Sequence, residues 1–340
     1  MTRSTAVRGT TAPDDSQGGE RSNRVKLRWI VAIGAAIIVA VAITVATGLG
    51  GRSVPGKSAD PAAPQRATLP RTPEAYLGVY EPGVPESYSG LTAFAAATGV
   101  KPGVVVYYSG WYEPFQASFA AAAVRHKAVP LVQIDPSDVS VAAIASGQYD
   151  AYLRSYASAV KAFGSRVILS FGHEMNGDWY SWGHRHTSPA EFVAAWRHIV
   201  TVFRQQAAGN VTWLWTINVI DTQAGIPSPA AWWPGSSYVT WVGIDGYYNA
   251  RSWTFASLFG PTIKAVRALT LNPILISETG ATPAAGQPEK IADLFTGIRS
   301  YGLLGLVWFD ANRMGDWRLS SPTAIAAFAR GAKTFKRPAS

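Results

Sequence analysis

From Tyr76 onward, eight short apolar runs recur along this 340-residue chain, spaced by segments of helical character, and no other feature restricts the fold as much. The runs are Tyr76–Tyr80 (YLGVY), Gly103–Tyr108 (GVVVYY), Val129–Ile134 (VPLVQI), Val167–Phe171 (VILSF), Val211–Ile217 (VTWLWTI), Trp241–Asp245 (WVGID), Pro273–Ser277 (PILIS) and Gly305–Phe309 (GLVWF). Between them lie Asp150–Phe163, Pro189–Gln206, Ser257–Leu269 and Glu289–Tyr301, which read as helices. Runs that are apolar throughout mark strands covered on both faces, as in a parallel sheet flanked by helices. Eight such α/β units have the size and rhythm of a (β/α)8 TIM barrel; an open doubly wound sheet is the alternative. The first strand runs into Glu81-Pro82-Gly83, with no glycine-rich phosphate turn and no P-loop lysine, which argues against a nucleotide site.

The region before the strands is organised differently. Residues 1–28 are rich in Ser, Thr, Gly and charge without apolar periodicity and read as a disordered basic cytoplasmic tail. Trp29–Leu49 is a 21-residue stretch without charge, long enough to span a bilayer core as one N-terminal transmembrane helix. Arg21, Arg24, Lys26 and Arg28 precede it closely and only Arg52 and Lys57 follow, so the positive-inside rule places the main domain outside the membrane. An uncleaved signal anchor is favoured over a signal peptide cut near Ala46-Thr47-Gly48, because the apolar stretch exceeds the usual signal-peptide core; secretion after cleavage is the alternative. Residues 50–72 hold Pro55, Pro61, Pro64 and Pro70 among Ala, Ser and Gly and read as a Pro/Ala-rich tether. The expected organisation is thus tail 1–28, anchor 29–49, linker 50–72, a folded α/β domain 73–330 and basic tail 331–340.

The net charge of +9 is distributed unevenly. Up to Arg71 there are ten Lys and Arg against four Asp and Glu, whereas Pro73 to Arg330 carries seventeen of each. A neutral domain behind a basic leader argues against nucleic-acid binding and suits an uncharged partner. The chain has no cysteine, which removes disulfides, thiolate metal sites and cysteine nucleophiles. No cofactor or metal is called for, and a monomeric domain is expected.

Polar and aromatic residues gather at the C-terminal ends of the predicted strands: Glu81, Ser109 and Trp111, Asp135, His173 and Glu174, Asn218, Tyr247, Glu278, and Asp310. In a barrel this end is the functional rim. Strand four leads into Gly172-His173-Glu174-Met175-Asn176-Gly177-Asp178-Trp179, and strand seven into Ser277-Glu278-Thr279-Gly280. A carboxyl among apolar and aromatic walls resists ionisation and can hold a proton near neutrality, as a general acid must. A second carboxylate aimed at the same bond would supply the nucleophile that glycoside hydrolysis requires. Either glutamate alone is as consistent with a salt bridge or a helix cap; the pair on strands four and seven points to catalysis.

His173-Glu174-Met175-Asn176-Gly177-Asp178-Trp179 resembles the acid/base motif of glycoside hydrolase family 26, and Ile276-Ser277-Glu278-Thr279-Gly280 resembles its nucleophile motif. The resemblance extends from Tyr76 to about Phe328. It implies a retaining (β/α)8 hydrolase, mostly represented by endo-β-1,4-mannanases, with Glu174 as acid/base and Glu278 as nucleophile. It further implies substrate-binding roles for five residues: His173 against sugar hydroxyls, Tyr247 on the nucleophile, Trp179 and Trp182 as a wall beside the acid/base, and Trp308 as the floor of the cleaved-sugar subsite. The expected substrate is a β-1,4-mannan, with β-1,3-xylan and mixed-linkage β-glucan as alternatives, and a non-hydrolytic surface polysaccharide-binding protein as the alternative outside enzymes.

Sugar C–H faces pack well on aromatic rings, so a neutral cleft rich in tryptophan suits a neutral polymer. Of the thirteen tryptophans, Trp111, Trp215, Trp232, Trp233 and Trp253 are further rim or loop candidates, while Trp213 and Trp241 lie inside strands and read as core, as Trp215 does equally. His184 and His186 have zinc-like spacing but no third ligand. Asn210-Val211-Thr212 fits a glycosylation acceptor but opens a strand, and Asp310 and Asp316 read as sugar contacts or solvated loop acids.

Overall fold

The computed structural model describes residues 69–335. The segments expected to form the tail, the membrane span and most of the linker, and the last five residues, lie outside them. Among the described residues no helix is long and apolar enough to cross a membrane.

Eight parallel strands close into a barrel in sequential order: β1 (Tyr76–Tyr80), β2 (Val104–Gly110), β3 (Val129–Asp135), β4 (Val167–Phe171), β5 (Val211–Asn218), β6 (Trp241–Tyr248), β7 (Ile274–Ala281) and β8 (Gly305–Phe309). The register closes where β8 pairs β1, from Tyr76 opposite Gly305 to Tyr80 opposite Phe309. This excludes the open sheet. Around the barrel run α1 (Ser89–Thr98), α2 (Ala117–Arg125), α3 (Val141–Ala145), α4 (Asp150–Phe163), α5 (Pro189–Gln205), α6 (Phe255–Leu269), α7 (Gln287–Ser300) and α8 (Pro322–Ala332). The β5–β6 crossover has only a short 3₁₀ turn, Pro229–Trp232, because its Pro, Gly and Ser residues do not sustain a helix. α5 begins with Pro189 behind Ser188, whose side chain caps Glu191 N–H while Glu191 returns the bond.

Residues alternate along each strand between the barrel axis and the helix layer. Tyr76, Val104, Val106, Leu131, Ile168, Leu214, Trp241, Leu275 and Val307 fill the interior. Their neighbours, such as Val105, Leu169, Trp215, Ile276 and Trp308, pack outward against the helices. The folded domain begins earlier than the sequence suggests, since Leu69 is buried in the interior cluster and the Tyr76 hydroxyl donates to Pro70 C=O at 2.7 Å. It also continues past Arg330, with Phe335 packed edge-on against Phe295 at 5.4 Å.

Candidate active site

Two departures from regular strand geometry build the site. After β4 the chain leaves the extended conformation at Gly172 (φ 53°), where a Cβ would come within 2.9 Å of Phe192. Glu174 then adopts a left-handed backbone (φ 55°), which for a non-glycine residue costs about 1–3 kcal/mol and is held here by Glu174 N–H to Thr216 C=O at 3.0 Å. In β7 the register slips: Ile276 pairs Ile244, but Glu278 pairs Asp245, leaving Ser277 as an extra residue. Strict alternation would turn Glu278 towards the helices, as it turns Ile276; the bulge re-aims it into the barrel mouth.

One carboxylate oxygen each of Glu174, Asp245 and Glu278 consequently lies within 4.8 Å of the others, all three residues buried. Glu278 accepts from two phenols, Tyr247 at 2.7 Å on Oε2 and Tyr108 on Oε1. Two O–H donors suit an anionic carboxylate. Glu174 accepts from the Trp179 indole N–H at 2.8 Å and from the Asn218 amide at 2.6 Å. Burial, and next the charge of Glu278, push the Glu174 carboxyl up to about 7, against the opposing pull of His173, Asn218 and Trp179. Both of its partners are N–H donors, which favour the ionised carboxylate.

Asp245 lies at the foot of the pair, fully buried, with Ser277 donating to Oδ1 at 2.5 Å and Oδ2 without a partner. Burial and the charges of Glu278 and Glu174 hold it well above the usual carboxylate range. Three converging carboxylates are a donor set that a cation could use. Here all four oxygens of Glu174 and Glu278 already accept N–H or O–H bonds, and burial raises the Glu174 and Asp245 carboxyls above their usual range, an arrangement suited to proton handling.

His173 is buried, its Nδ1 against Asp135 at 2.9 Å and its Nε2 against the Tyr180 hydroxyl at 3.1 Å. Burial favours the neutral ring, but the Asp135 charge and hydrogen bond outweigh it and raise the imidazole to about 9. Trp182, also buried, stacks on Tyr180 at 4.3 Å and donates to His173 C=O at 2.8 Å, so it braces the histidine from behind. Trp179 is 44% exposed and presents its ring beside Glu174.

Trp308 is not brought to the mouth. It is wholly buried in the helix-side layer, edge-on to Phe328 of α8 at 5.7 Å, and its indole donates to Trp317 C=O. Its neighbour Phe309 faces the mouth instead, stacked on Tyr80 at 4.3 Å, and Trp317 packs on Tyr247 at 4.5 Å. Strand parity explains the exchange, because Trp308 and Phe309 point to opposite faces. Of the other aromatic candidates, Trp111 packs among Tyr149, Tyr152 and Phe171, and Trp215 is buried against Trp233. Trp232 is buried with the edge of His184 on it, and Trp253 is half-buried. His184 and His186 belong to no metal-donor cluster among the described residues; His186 bonds Asp178 C=O. Asp316 pairs with Arg318 at 2.7 Å. Asp310 accepts from Leu319 N–H at 2.6 Å; burial first, and then the neighbouring Asp310, raise the Glu81 carboxyl to about 8. Sequence reasoning missed Tyr108, Tyr180, Asp245, Phe309 and Trp317 as parts of the site, and had Asn218 and Asp135 only as strand ends; the inward parity of Tyr108 and Asp245 was the available signal.

A (β/α)8 barrel with paired glutamates emerging from β4 and β7 presents the two carboxyls that glycoside hydrolysis uses. The model of glycosyl hydrolase family 26 matches residues 149–289, which contain both glutamates. The chain is 31% identical over 263 residues to endoglucanase H of Acetivibrio thermocellus, a match covering 72% of this chain and 29% of that one. It is 24% identical over 175 residues to β-1,3-xylanase TXYA of a Vibrio species, covering 48% and 36%. The chain therefore spans about a third of the length of these relatives. Among solved structures, the catalytic domain of the family 26 endo-β-1,4-mannanase from Bacillus sp. JAMB-750 superposes with a TM-score of 0.59 at 15% identity, covering 76% of this chain and 85% of that one. These matches support the assignment of the domain to glycoside hydrolase family 26.

Proposed function

We propose that the domain is a retaining endo-β-glycanase in which Glu278 attacks the anomeric carbon and Glu174 protonates the departing oxygen, then activates the water that releases the glycosyl-enzyme. The observation that carries this reading is the convergence of the two carboxyls in one buried mouth, an oxygen of one within 4.8 Å of an oxygen of the other. Direct attack suits a short separation, about 5–5.5 Å between carboxyl groups, whereas an inverting pair needs about 6.5–9.5 Å to admit a water. The environments divide the labour: Glu174 keeps a proton near neutrality, while Glu278 sits between two phenol donors. Glu278→Ala should abolish turnover with the fold intact, and Glu174→Gln should remove the basic limb of the pH–rate profile. Unchanged hydrolysis by the Glu278 variant refutes the assignment.

The substrate is a neutral β-linked polysaccharide, a β-1,4-mannan on the family motif. A β-glucan is the second reading, favoured by the 31% match to a relative named endoglucanase. Initial rates on mannan, mixed-linkage glucan, cellulose derivatives and β-1,3-xylan separate these readings, and binding without turnover on all four would identify a non-hydrolytic protein. We place the domain outside the membrane on an anchor at residues 29–49, on the strength of the uncharged run and its basic flank. Recovery of the chain in the soluble fraction, shortened past residue 46, would show secretion instead.

A further inference from the structure

The end of the barrel opposite the glutamates has a chemistry that hydrolysis does not use. The loops there are residues 69–75, 99–103, 126–128, 164–166, 206–210, 233–240, 270–273, 301–304 and 333–335. They carry Arg71, Lys101, Lys127, Arg166 and Lys333, and Glu74 is the one carboxylate among them. Of the seventeen carboxylates between Pro73 and Arg330, the other sixteen lie in helices, strands or loops of the catalytic end. The domain is therefore neutral in sum and strongly polar in distribution.

A cavity of about 1250 Å³ opens on this basic end, ringed by Lys101, Lys127, Arg166 and Lys333. Its floor is apolar, including Tyr76, Val129 and Phe335. None of the four cations is within salt-bridge distance of a carboxylate among the described residues. Basic residues near helix C-termini are common, since they complement the helix dipole. Lys101, Lys127 and Arg166 lie beyond the helices in the connecting loops and need another explanation.

We infer that this end of the barrel docks on an anionic lipid surface, holding the catalytic mouth away from the membrane and towards polymer in solution. Charge complementarity supports an external anion: residues 50–68 carry Arg52, Lys57 and Arg66 against Asp60, and residues 336–340 add Lys336 and Arg337, so the adjoining sequence cannot neutralise the patch. Chain direction supports a membrane as its source, because the proposed anchor precedes Leu69, which itself lines the cavity. Clustered Lys and Arg beside a membrane anchor are attracted to acidic headgroups. The inference rests on the anchor proposed above, and the experiment reads the two separately.

The chain has no cysteine, so Ser165→Cys at the basic end and Met314→Cys at the catalytic end each give one labelling position. The full chain, labelled with bimane, is reconstituted into vesicles of phosphatidylcholine and phosphatidylglycerol containing a headgroup-nitroxide lipid. Quenching is expected at position 165 and not at 314. It should vanish in pure phosphatidylcholine. In K101E/K127E/K333E the ratio of docked to free domain should fall by on the order of a hundredfold, with hydrolysis of soluble glycan unchanged. Equal quenching at both positions overturns the inference, as does quenching at 165 that survives the triple substitution or neutral lipid. A basic end that binds soluble polyphosphate but shows no lipid quenching overturns it too. Extraction by alkaline carbonate reads the anchor alone: a chain that washes off refutes the anchor, while the quenching recorded before the wash still decides the docking.

Discussion

Asn218→Ala should move the basic limb of the kcat/KM profile to higher pH, although it removes a polar group from beside the acid. The Asn218 amide donates to Glu174 Oε1 at 2.6 Å, and Asn218 is itself fixed by Asn176, which accepts from its backbone N–H at 2.9 Å. The bond favours ionised Glu174, opposing the burial and the Glu278 charge that raise it to about 7. A buried hydrogen bond to a charged group contributes about 1.5–3 kcal/mol, and one pH unit corresponds to about 1.4 kcal/mol, so the midpoint should rise by about one to two units, to 8 or above. Formation of the glycosyl-enzyme needs Glu174 protonated, so its basic limb reports this group; the second step needs Glu174 ionised and should slow below pH 8. Initial rates from pH 4 to 10 on the best substrate of the panel, at concentrations well below KM, measure the limb. An unmoved limb, or one shifted to lower pH, refutes the view that Asn218 stabilises the anion of the general acid.

Glu174→Gln should stabilise the fold above pH 7 and not at pH 4. Wild-type Glu174 keeps its proton in the fold up to about 7 but only to about 4.5 once unfolded, so its contribution is intact below 4.5 and lost as pH rises through 7, by on the order of 3 kcal/mol, readable by thermal melts at both pH values. Tyr247→Phe removes one of two phenol donors to Glu278 and should lower kcat/KM roughly tenfold or more, with a circular dichroism spectrum like that of the wild type. Phe309→Ala should raise KM, whereas Trp308→Ala should leave KM nearly unchanged but cost about 3–5 kcal/mol of stability in urea, because only Phe309 faces the mouth.

The barrel is legible because strands buried on both faces appear as unbroken apolar runs, and the boundaries of β1, β4 and β8 fall where those runs do. β6 and β7 extend further than their apolar parts, since Gly246 to Tyr248 pair with Thr279 to Ala281 despite their polar and small residues. Both glutamates are visible as carboxyls at strand ends. What their neighbours do is not, because the bonds that hold them are remote in sequence: Tyr108 to Glu278 spans 170 positions and Asn218 to Glu174 spans 44. Parity at the mouth is also concealed. A left-handed residue at Glu174 and a bulge at Ser277 break the two-residue alternation where the site is built. The resemblance implies Trp308 at the cleft, whereas strand parity turns Trp308 to the helix layer and Phe309 towards the mouth.

The most direct test is to trap the first intermediate. A 2-deoxy-2-fluoro β-glycosyl donor of the preferred sugar, incubated with the protein and followed by proteolysis and mass spectrometry, should add one fluoroglycosyl group to the peptide containing Glu278, with first-formed products that keep the β configuration. A modified peptide elsewhere, or products of inverted configuration, would contradict the double displacement and the role given to Glu278.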